Sequence, residues 1–173
     1  MIRSFQGKTP KIHPTAWVSE TAYVIGDVEI GEYSSVWPGT VIRGDTIKIT
    51  LGRYVDIQDN CVLHADDDAS YGDYVSLGHG VICHAKQIGS NCLIGNGATL
   101  NDGVVLGEYS LVASGAVVLE NREFPEKSFI LGVPAVAREQ PTDESHHARI
   151  RRTAESYARK AQLFKAEGLG SSE

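Results

Sequence analysis

Residues 12–46 read IHPTAWVSETAYVIGDVEIGEYSSVWPGTVIRGDT, and this stretch decides the fold. An aliphatic residue recurs at every sixth position, and a small or β-branched residue follows four positions after each. The aliphatic positions are Ile12, Val18, Val24, Ile30, Val36 and Ile42. A six-residue period fits neither an α-helix, whose turn takes 3.6 residues, nor a long alternating strand. It predicts short strands separated by bends, stacked as a parallel β-helix in which three six-residue units, here called hexads, make one coil.

The same ladder continues beyond this stretch and predicts the buried positions of later coils. Its members are Leu51, Ile57, Leu63, Tyr71, Leu77, Cys83, Ile88, Ile94, Leu100, Leu106, Val112 and Val118. The step from Cys83 to Ile88 is one residue short, which leaves the register least constrained there. Glycine recurs at the second place of a hexad, at Gly31, Gly52, Gly89, Gly95 and Gly107. We expect these glycines to serve the bends, because glycine tolerates positive φ.

The repeat ends after ILGVPAVAREQP, and the sequence pattern becomes helical. TDES supplies a cap and first-turn acids, and apolar residues then recur at three- and four-residue steps. They are Ile150, Ala154, Tyr157, Ala158, Ala161 and Phe164. We therefore predict a β-helix domain over 1–140, and over 141–173 a helix packed on the solenoid with a flexible tail. Trp17 and Trp37 flank ladder positions, either as interface anchors or as loosely covered surface.

Composition narrows the function classes. The 173 residues are 42% hydrophobic and 22% charged, with a net charge of -6, which is typical of a soluble globular protein and offers no basic patch for nucleic acid. No segment approaches the roughly 18 apolar residues that a membrane span needs. The three cysteines show no CxxC spacing and fit a reducing compartment, where Cys61, Cys83 and Cys92 are expected to be small core residues. We expect a cytoplasmic protein that binds neither nucleic acid nor membrane.

The coil register predicts on which face of the solenoid each histidine lies. Arg43, His64 and His84 each follow a ladder position, and these positions are separated by one coil each, so the three side chains are expected to form one column. Stacked strands lie about 4.8 Å apart, close enough for two imidazoles to bind one metal ion. His79 and Gln58 belong to the neighbouring face. His79 is therefore not expected to reach the same ion within one chain.

A ring of subunits would bring the three histidines together. If the first face of one copy meets the second face of the next, His64 and His84 meet His79 and Gln58 of the neighbouring copy. A heterologous contact of this kind closes into a ring, and three-sided prisms close as a homotrimer. Three histidines with a free fourth position form the ligand set of catalytic zinc.

The segments VIRGD, DIQDNCVLH and GHGVICHA, in this order and spacing, resemble the γ-class carbonic anhydrase-like proteins, a group of hexapeptide-repeat proteins also labelled ferripyochelin-binding. The resemblance runs from about Ile12 to the GVPA segment. It implies a left-handed parallel β-helix with a C-terminal α-helix, assembled as a homotrimer. It also implies that His64, His79 and His84 bind Zn²⁺ or another divalent metal between subunits, with Fe²⁺ and Co²⁺ as alternatives.

The resemblance also implies the catalytic residues. Arg43 and Asp45 would form an interface ion pair, although a purely structural pair is an equal alternative, and Gln58 would help to position the metal-bound water or the substrate. Asp56 stands where family members commonly have asparagine. The archaeal type has proton-transfer glutamates after the RGD aspartate and on an acidic loop. This chain instead has Thr46 and the loop ADDDAS, in which Asp67 is the candidate shuttle.

The residue pattern and the resemblance are compatible with three functions. The first is reversible hydration of carbon dioxide to bicarbonate by a metal-bound hydroxide at the trimer interfaces. The second is an acyl-CoA thioesterase or acyltransferase-related activity on the same scaffold. The third is a non-catalytic, metal-stabilised trimer. The first two need an open metal position and the third does not.

Overall fold

A computed structural model, which describes residues 1–170, shows a parallel β-solenoid of about seven turns followed by one long α-helix. The predicted parallel β-helix of hexads is therefore confirmed. The strands are β1 Ile2–Arg3, β2 Lys11–Ile12, β3 Trp17–Val18, β4 Tyr23–Ile30, β5 Ser35–Val36, β6 Val41–Leu51, β7 Asp56–Ile57, β8 Val62–Leu63, β9 Ala69–Tyr71, β10 Ser76–Leu77, β11 Ile82–Cys83, β12 Gln87–Ile88, β13 Leu93–Ile94, β14 Thr99–Leu100, β15 Val105–Leu106, β16 Leu111–Val112, β17 Val117–Val118, β18 Glu123–Phe124, β19 Phe129–Gly132 and β20 Ala135–Ala137, and the helix is α1 Glu144–Ala166.

The ladder residues stack in three columns, one for each face of the solenoid. Face 1 carries Val24, Ile42, Leu63, Cys83, Leu100 and Val118. Face 2 carries Val18, Val36, Ile57, Leu77, Ile94, Val112 and Ile130. Face 3 carries Ile12, Ile30, Leu51, Tyr71, Ile88, Leu106 and Phe124. Nearly all of these side chains are buried in one continuous core, and the short step from Cys83 to Ile88 keeps the predicted register.

Faces 1 and 3 are joined into one 12-stranded sheet, whereas face 2 forms a separate 8-stranded sheet. The join arises because β4 and β6 run unbroken around the corner between the two faces. Their pairing shifts register between Gly26 and Val28, opposite the extra residues of β6. This irregular corner carries Arg43 and Asp45.

The second-place glycines have a different role from the one predicted. Positive φ occurs instead at the fourth place of the hexads, as at Asn60 (φ 59°) and Gly97 (φ 66°), so the bends lie there. The second-place glycines are required by the close approach of adjacent coils. A Cβ added to Gly95, for example, would lie 2.4 Å from the backbone nitrogen of Ser114 in the next coil. These glycines begin the turns, as Gly95 does in the hydrogen bond from Ala98 N–H to its carbonyl, but the prediction that they are needed for positive φ was wrong.

Helix α1 begins after its N-cap residue Asp143, whose carboxylate accepts hydrogen bonds from the backbone N–H groups of the first turn. The helix contacts β3, β5, β7 and β10, all of which belong to face 2. Its buried residues are Ile150, Ala154, Ala158 and Ala161. Trp17 and Trp37 lie beneath it, only 4% and 7% exposed, so they anchor this helix and are not loosely covered surface.

The chain end after α1 also contacts the solenoid. The Trp17 indole N–H donates to the carbonyl oxygen of Leu169. The sequence predicts a flexible tail, and its last residues, 171–173, lie outside the described residues. Within residues 1–170, no helix is long and apolar enough to cross a membrane. All three cysteines are buried and unpaired, as expected for core residues.

Candidate metal centre

The stacking of β6, β8 and β11 places His64 and His84 side by side. Ile42, Leu63 and Cys83 pair in register, so the residue that follows each of them occupies the same column on face 1. The ring centroids of His64 and His84 are 5.4 Å apart. Two adjacent turns of the solenoid thus present two imidazoles at one point on its surface.

Each candidate histidine is held by an aspartate on one ring nitrogen, beginning with His64. Its Nε2 lies 3.1 Å from Oδ1 of Asp45. Because a carboxylate only accepts hydrogen bonds, this ring nitrogen is the donor, and in the neutral ring the other nitrogen, Nδ1, is left with its lone pair. This Nδ1 is buried and, within residues 1–170, is the one buried side-chain polar atom without a hydrogen-bond partner.

The other two histidines show the same arrangement. Nδ1 of His84 lies 2.9 Å from Oδ1 of Asp102, and Nδ1 of His79 lies 2.9 Å from Oδ2 of Asp59. In both rings the lone pair is therefore on Nε2. Histidine that donates one N–H to a carboxylate and offers the other nitrogen is the usual arrangement of a metal-ligating imidazole. The donor set on this chain fits a divalent metal ion.

The structure brings two of the three candidate histidines together and leaves the third apart. His79 lies on face 2, outside the group of potential ligands formed by His64, Asp66 and His84. Its side chain is 49% exposed, and its Nε2 is 3.5 Å from the hydroxyl of Tyr157 on α1. One chain therefore does not complete a three-histidine site.

Arg43 and Asp45 are paired within the chain. The Arg43 guanidinium donates to Oδ2 of Asp45, and the other oxygen, Oδ1, also accepts from the backbone N–H of Thr46. The Arg43 hydrogen bond is the largest of the causes that lower the pKa of Asp45 to about 2. Asp45 therefore stays ionised at neutral pH and connects the guanidinium to the His64 ring.

Gln58 and Asp56 form a small polar network inside face 2. Nε2 of Gln58 donates to Oδ1 of Asp56 at 2.8 Å, and the Ser76 hydroxyl donates to Oδ2. Complete burial raises the pKa of Asp56 to about 7, against the opposing effect of these two hydrogen bonds. Since the amide nitrogen of Gln58 faces Asp56, its carbonyl oxygen is turned away from this pair.

Asp67, the candidate proton shuttle, is not brought to the histidine pair. Its side chain is 77% exposed and lies 3.6 Å from Nζ of Lys86. The neighbouring Asp66 is the loop residue whose carboxylate lies within 4.8 Å of the ligand atoms of His64 and His84.

Sequence reasoning missed Asp59, Asp66 and Asp102. One signal was available, because Asp59 and His79 both stand two places after a ladder position in successive coils of face 2. Such residues are neighbours one coil apart. Asp66 lies in a loop with no ladder position, so the repeat gives no indication of where its side chain lies.

Comparisons with known proteins agree with this architecture. The family model described as bacterial transferase hexapeptide (six repeats) matches residues 9–44 and 86–120. The chain is 40% identical over 151 residues to a probable carbonic anhydrase of Methanocaldococcus jannaschii, a match that covers 81% of this chain and 95% of that protein. It is 39% identical to the mitochondrial gamma carbonic anhydrase 1 of Arabidopsis thaliana over 92% of this chain, but spans only 61% of that longer relative.

A solved structure shares the fold across nearly the whole chain. The hexapeptide transferase family protein from Anaplasma phagocytophilum matches with a TM-score of 0.90 and 32% identity, covering 95% of this chain and 98% of that one. The two chains therefore share their fold over nearly their whole lengths.

Proposed function

Because the chain belongs to the γ-class carbonic anhydrase-like family of hexapeptide-repeat proteins, we propose that it catalyses the reversible hydration of carbon dioxide to bicarbonate at a metal site shared between subunits of a homotrimer. The observation that carries this proposal is the carboxylate held against one nitrogen of each candidate histidine. Metal-ligating histidine almost always donates its other ring N–H to a carboxylate, a backbone carbonyl or water.

The kinship with carbonic anhydrases implies a metal cofactor, and the residues of this chain fit one. His64 and His84 of one subunit and His79 of the next would hold Zn²⁺, and the same imidazole set also accepts Fe²⁺ or Co²⁺. Such an ion would supply a nucleophile at neutral pH by lowering the pKa of water from 15.7 to about 7.

Assembly as a trimer is part of the proposal, and face 1 supports it. Val62 and Ile82 project outward beside the histidine column and are 38% and 47% exposed. Burial of these apolar side chains against a second copy would contribute to association. The same contact would deliver the His79 that face 1 lacks.

Three further residues would act on the substrate or on the ligands. With its nitrogen held by Asp56, Gln58 would present its carbonyl oxygen as a hydrogen-bond acceptor for the attacking water. Asp45 would hold the His64 ring in place. Arg43 would keep Asp45 ionised and fixed, a positioning role that acts through the aspartate.

Transferase chemistry on the same scaffold is the second candidate. It is favoured by the description of the matching family model and by the name of the Anaplasma relative, both of which refer to transferases. Asp67 pairs with Lys86 away from the histidines. The carbonic anhydrase function therefore has no assigned proton shuttle.

Metal analysis followed by stopped-flow carbon dioxide hydration tests the proposal, with acyl-CoA hydrolysis and acetyl transfer assayed on the same sample. We expect hydration activity in the metallated protein and its loss in His84→Ala. The control is His13→Ala, which removes an exposed histidine that is not one of the candidate ligands and whose Nδ1 lies 2.9 Å from the Thr15 hydroxyl. If fully metallated protein lacks hydration activity but cleaves or transfers an acyl group, the first proposal is wrong and the second candidate function is supported.

A further inference from the structure

The loop between β8 and β9 places a carboxylate at the histidine pair. One ligand atom from each of His64, Asp66 and His84 lies within 4.8 Å of those of the other two. Ligand atoms of a single first-row metal ion, at bond lengths of about 2.0 to 2.2 Å, are separated by distances in this range.

The other two aspartates of this loop are engaged elsewhere. Asp67 lies 3.6 Å from Nζ of Lys86, and Oδ1 of Asp68 accepts from the backbone N–H of Lys48 at 2.8 Å. In the part of the chain that the structure describes, Asp66 has neither a hydrogen bond nor an ion pair. Its carboxylate is therefore free to bind a ligand at the histidine pair.

The group of His64, Asp66 and His84 offers hydrogen-bond acceptors and no donor. Nδ1 of His64 offers a lone pair because its Nε2 is held by Asp45, and Nε2 of His84 offers one because its Nδ1 is held by Asp102. The Asp66 carboxylate adds a negative charge to these two lone pairs. A bound cation would be attracted by the carboxylate and would give Nδ1 of His64, which is buried without a hydrogen-bond partner, something to bind.

We propose that Asp66 is itself a metal ligand, so that each subunit presents two histidines and one carboxylate to a divalent first-row cation and the partner adds His79. The inference rests on the metal site of the proposed function and adds a fourth protein ligand to it, so the open position that hydration needs would remain on an ion that takes five or six ligands. Two histidines with one carboxylate are the ligand set typical of ferrous iron, and a carboxylate also favours manganese over the zinc that three imidazoles suit. Asp66 would therefore bias which metal the site retains.

Titration of the metal-free trimer with Co²⁺, followed by visible d–d absorption, tests the inference without reference to activity. Asp66→Asn is expected to weaken Co²⁺ binding by at least about tenfold and to change the band positions, since a ligand is lost. Asp67→Asn is the matched control, because it removes a carboxylate from the same exposed loop, and it should titrate as the unaltered protein does.

The outcomes separate this inference from the proposed function. An Asp66→Asn protein with the affinity and spectrum of the unaltered trimer would overturn the role of Asp66 and leave the three-histidine site intact. If the unaltered trimer takes up neither Co²⁺ nor Zn²⁺, the metal site of the proposed function fails and Asp66 fails with it. Circular dichroism of each variant establishes that its fold is retained.

Discussion

Asp56 is a carboxyl group in a place where water cannot reach it. It is completely buried on face 2, and its two hydrogen-bond partners, Gln58 and Ser76, are both neutral. Burial without a cationic partner disfavours the charged form, which is why its pKa rises to about 7. Around neutral pH this residue therefore changes charge while holding the amide of Gln58.

Replacing Asp56 with asparagine should flatten the pH dependence of stability. Between the unfolded pKa of about 3.9 and the folded pKa of about 7, the folded state holds a proton that the unfolded state has lost, so the free energy of unfolding falls as pH rises, by up to about 1.4 kcal/mol per pH unit. The stabilisation is complete below the lower pKa and is lost as pH rises through the upper one.

Urea unfolding at several pH values between about 5 and 8 measures this slope for the unaltered protein and for Asp56→Asn. The amide cannot ionise, so the difference between the two proteins should grow in favour of the variant up to about pH 7 and then level off. Parallel curves for the two proteins would show that Asp56 is ionised throughout.

Asp102 should matter to metal affinity although it would not itself bind the proposed ion. Its carboxylate fixes the proton of His84 on Nδ1 and so leaves Nε2 free. Loss of such an outer partner costs about 10- to 100-fold in metal affinity. Competition with a chromogenic chelator should show this loss for Asp102→Asn and none for Asp73→Asn, whose carboxylate pairs with Arg53 away from the histidines. Equal metal affinity of the Asp102→Asn and Asp73→Asn variants would show that Asp102 does not support the metal ligands.

The coil is the repeating element of this fold, and its tolerance to change depends on how closely successive coils approach. At Gly95 the backbone of the next coil fills the space where a side chain would begin. At Gly97, two residues later, the space is open and φ is +66°. The two glycines are thus required for different physical reasons within one hexad.

Alanine substitutions should separate these reasons. Gly95→Ala forces a Cβ to within 2.4 Å of the Ser114 backbone, which can be relieved only by parting the coils, at a cost of about 1–3 kcal/mol or more. Gly97→Ala carries only the strain of a left-handed conformation, about 1–2 kcal/mol. Thermal unfolding of both variants measures the difference. A Gly97→Ala protein that is the less stable of the two would contradict the role of close coil approach.

The elements themselves were largely predictable from the sequence, because a solenoid repeats one local rule. The aliphatic ladder gave every buried column, even across the short step at Cys83, and the spacing of Ile150 and Ala154 gave α1. The role of the second-place glycines was predicted wrongly because a glycine does not reveal whether it is needed for its φ or for its lack of a side chain. Only the stacking of Gly95 on the next coil distinguishes the two.

The candidate site was less predictable than the fold. The repeat gives the column of His64 and His84, since both follow ladder residues. It does not give Asp102, which reaches His84 from the following coil, or Asp66, which belongs to a loop without a period. Contacts of this kind depend on side-chain direction, which a six-residue spacing leaves undetermined.

At the scale of the whole molecule, the separation of His79 from the other two histidines determines how the site must assemble. His64 and His84 lie on face 1 and His79 lies on face 2, so the proposed set of three histidines would need two subunits. In a ring of three, each interface would take the pair from one subunit and His79 from the next. Loss of either contribution should then weaken metal binding, so that a chelator removes the ion, without altering the solenoid.

Coexpression of His79→Ala and His84→Ala chains tests this arrangement. Each variant alone should retain little metal after exposure to a chelator, because every interface lacks one ligand. In any mixed ring, one interface joins the intact pair of a His79→Ala chain to the intact His79 of a His84→Ala chain, whereas the other interfaces carry a defect. Mixed trimers, isolated by means of two different affinity tags, should therefore recover about one metal ion per ring, or a third of the unaltered content. Mixed trimers that form but bind no more metal than either parent would mean that the histidines do not combine across subunits in this way.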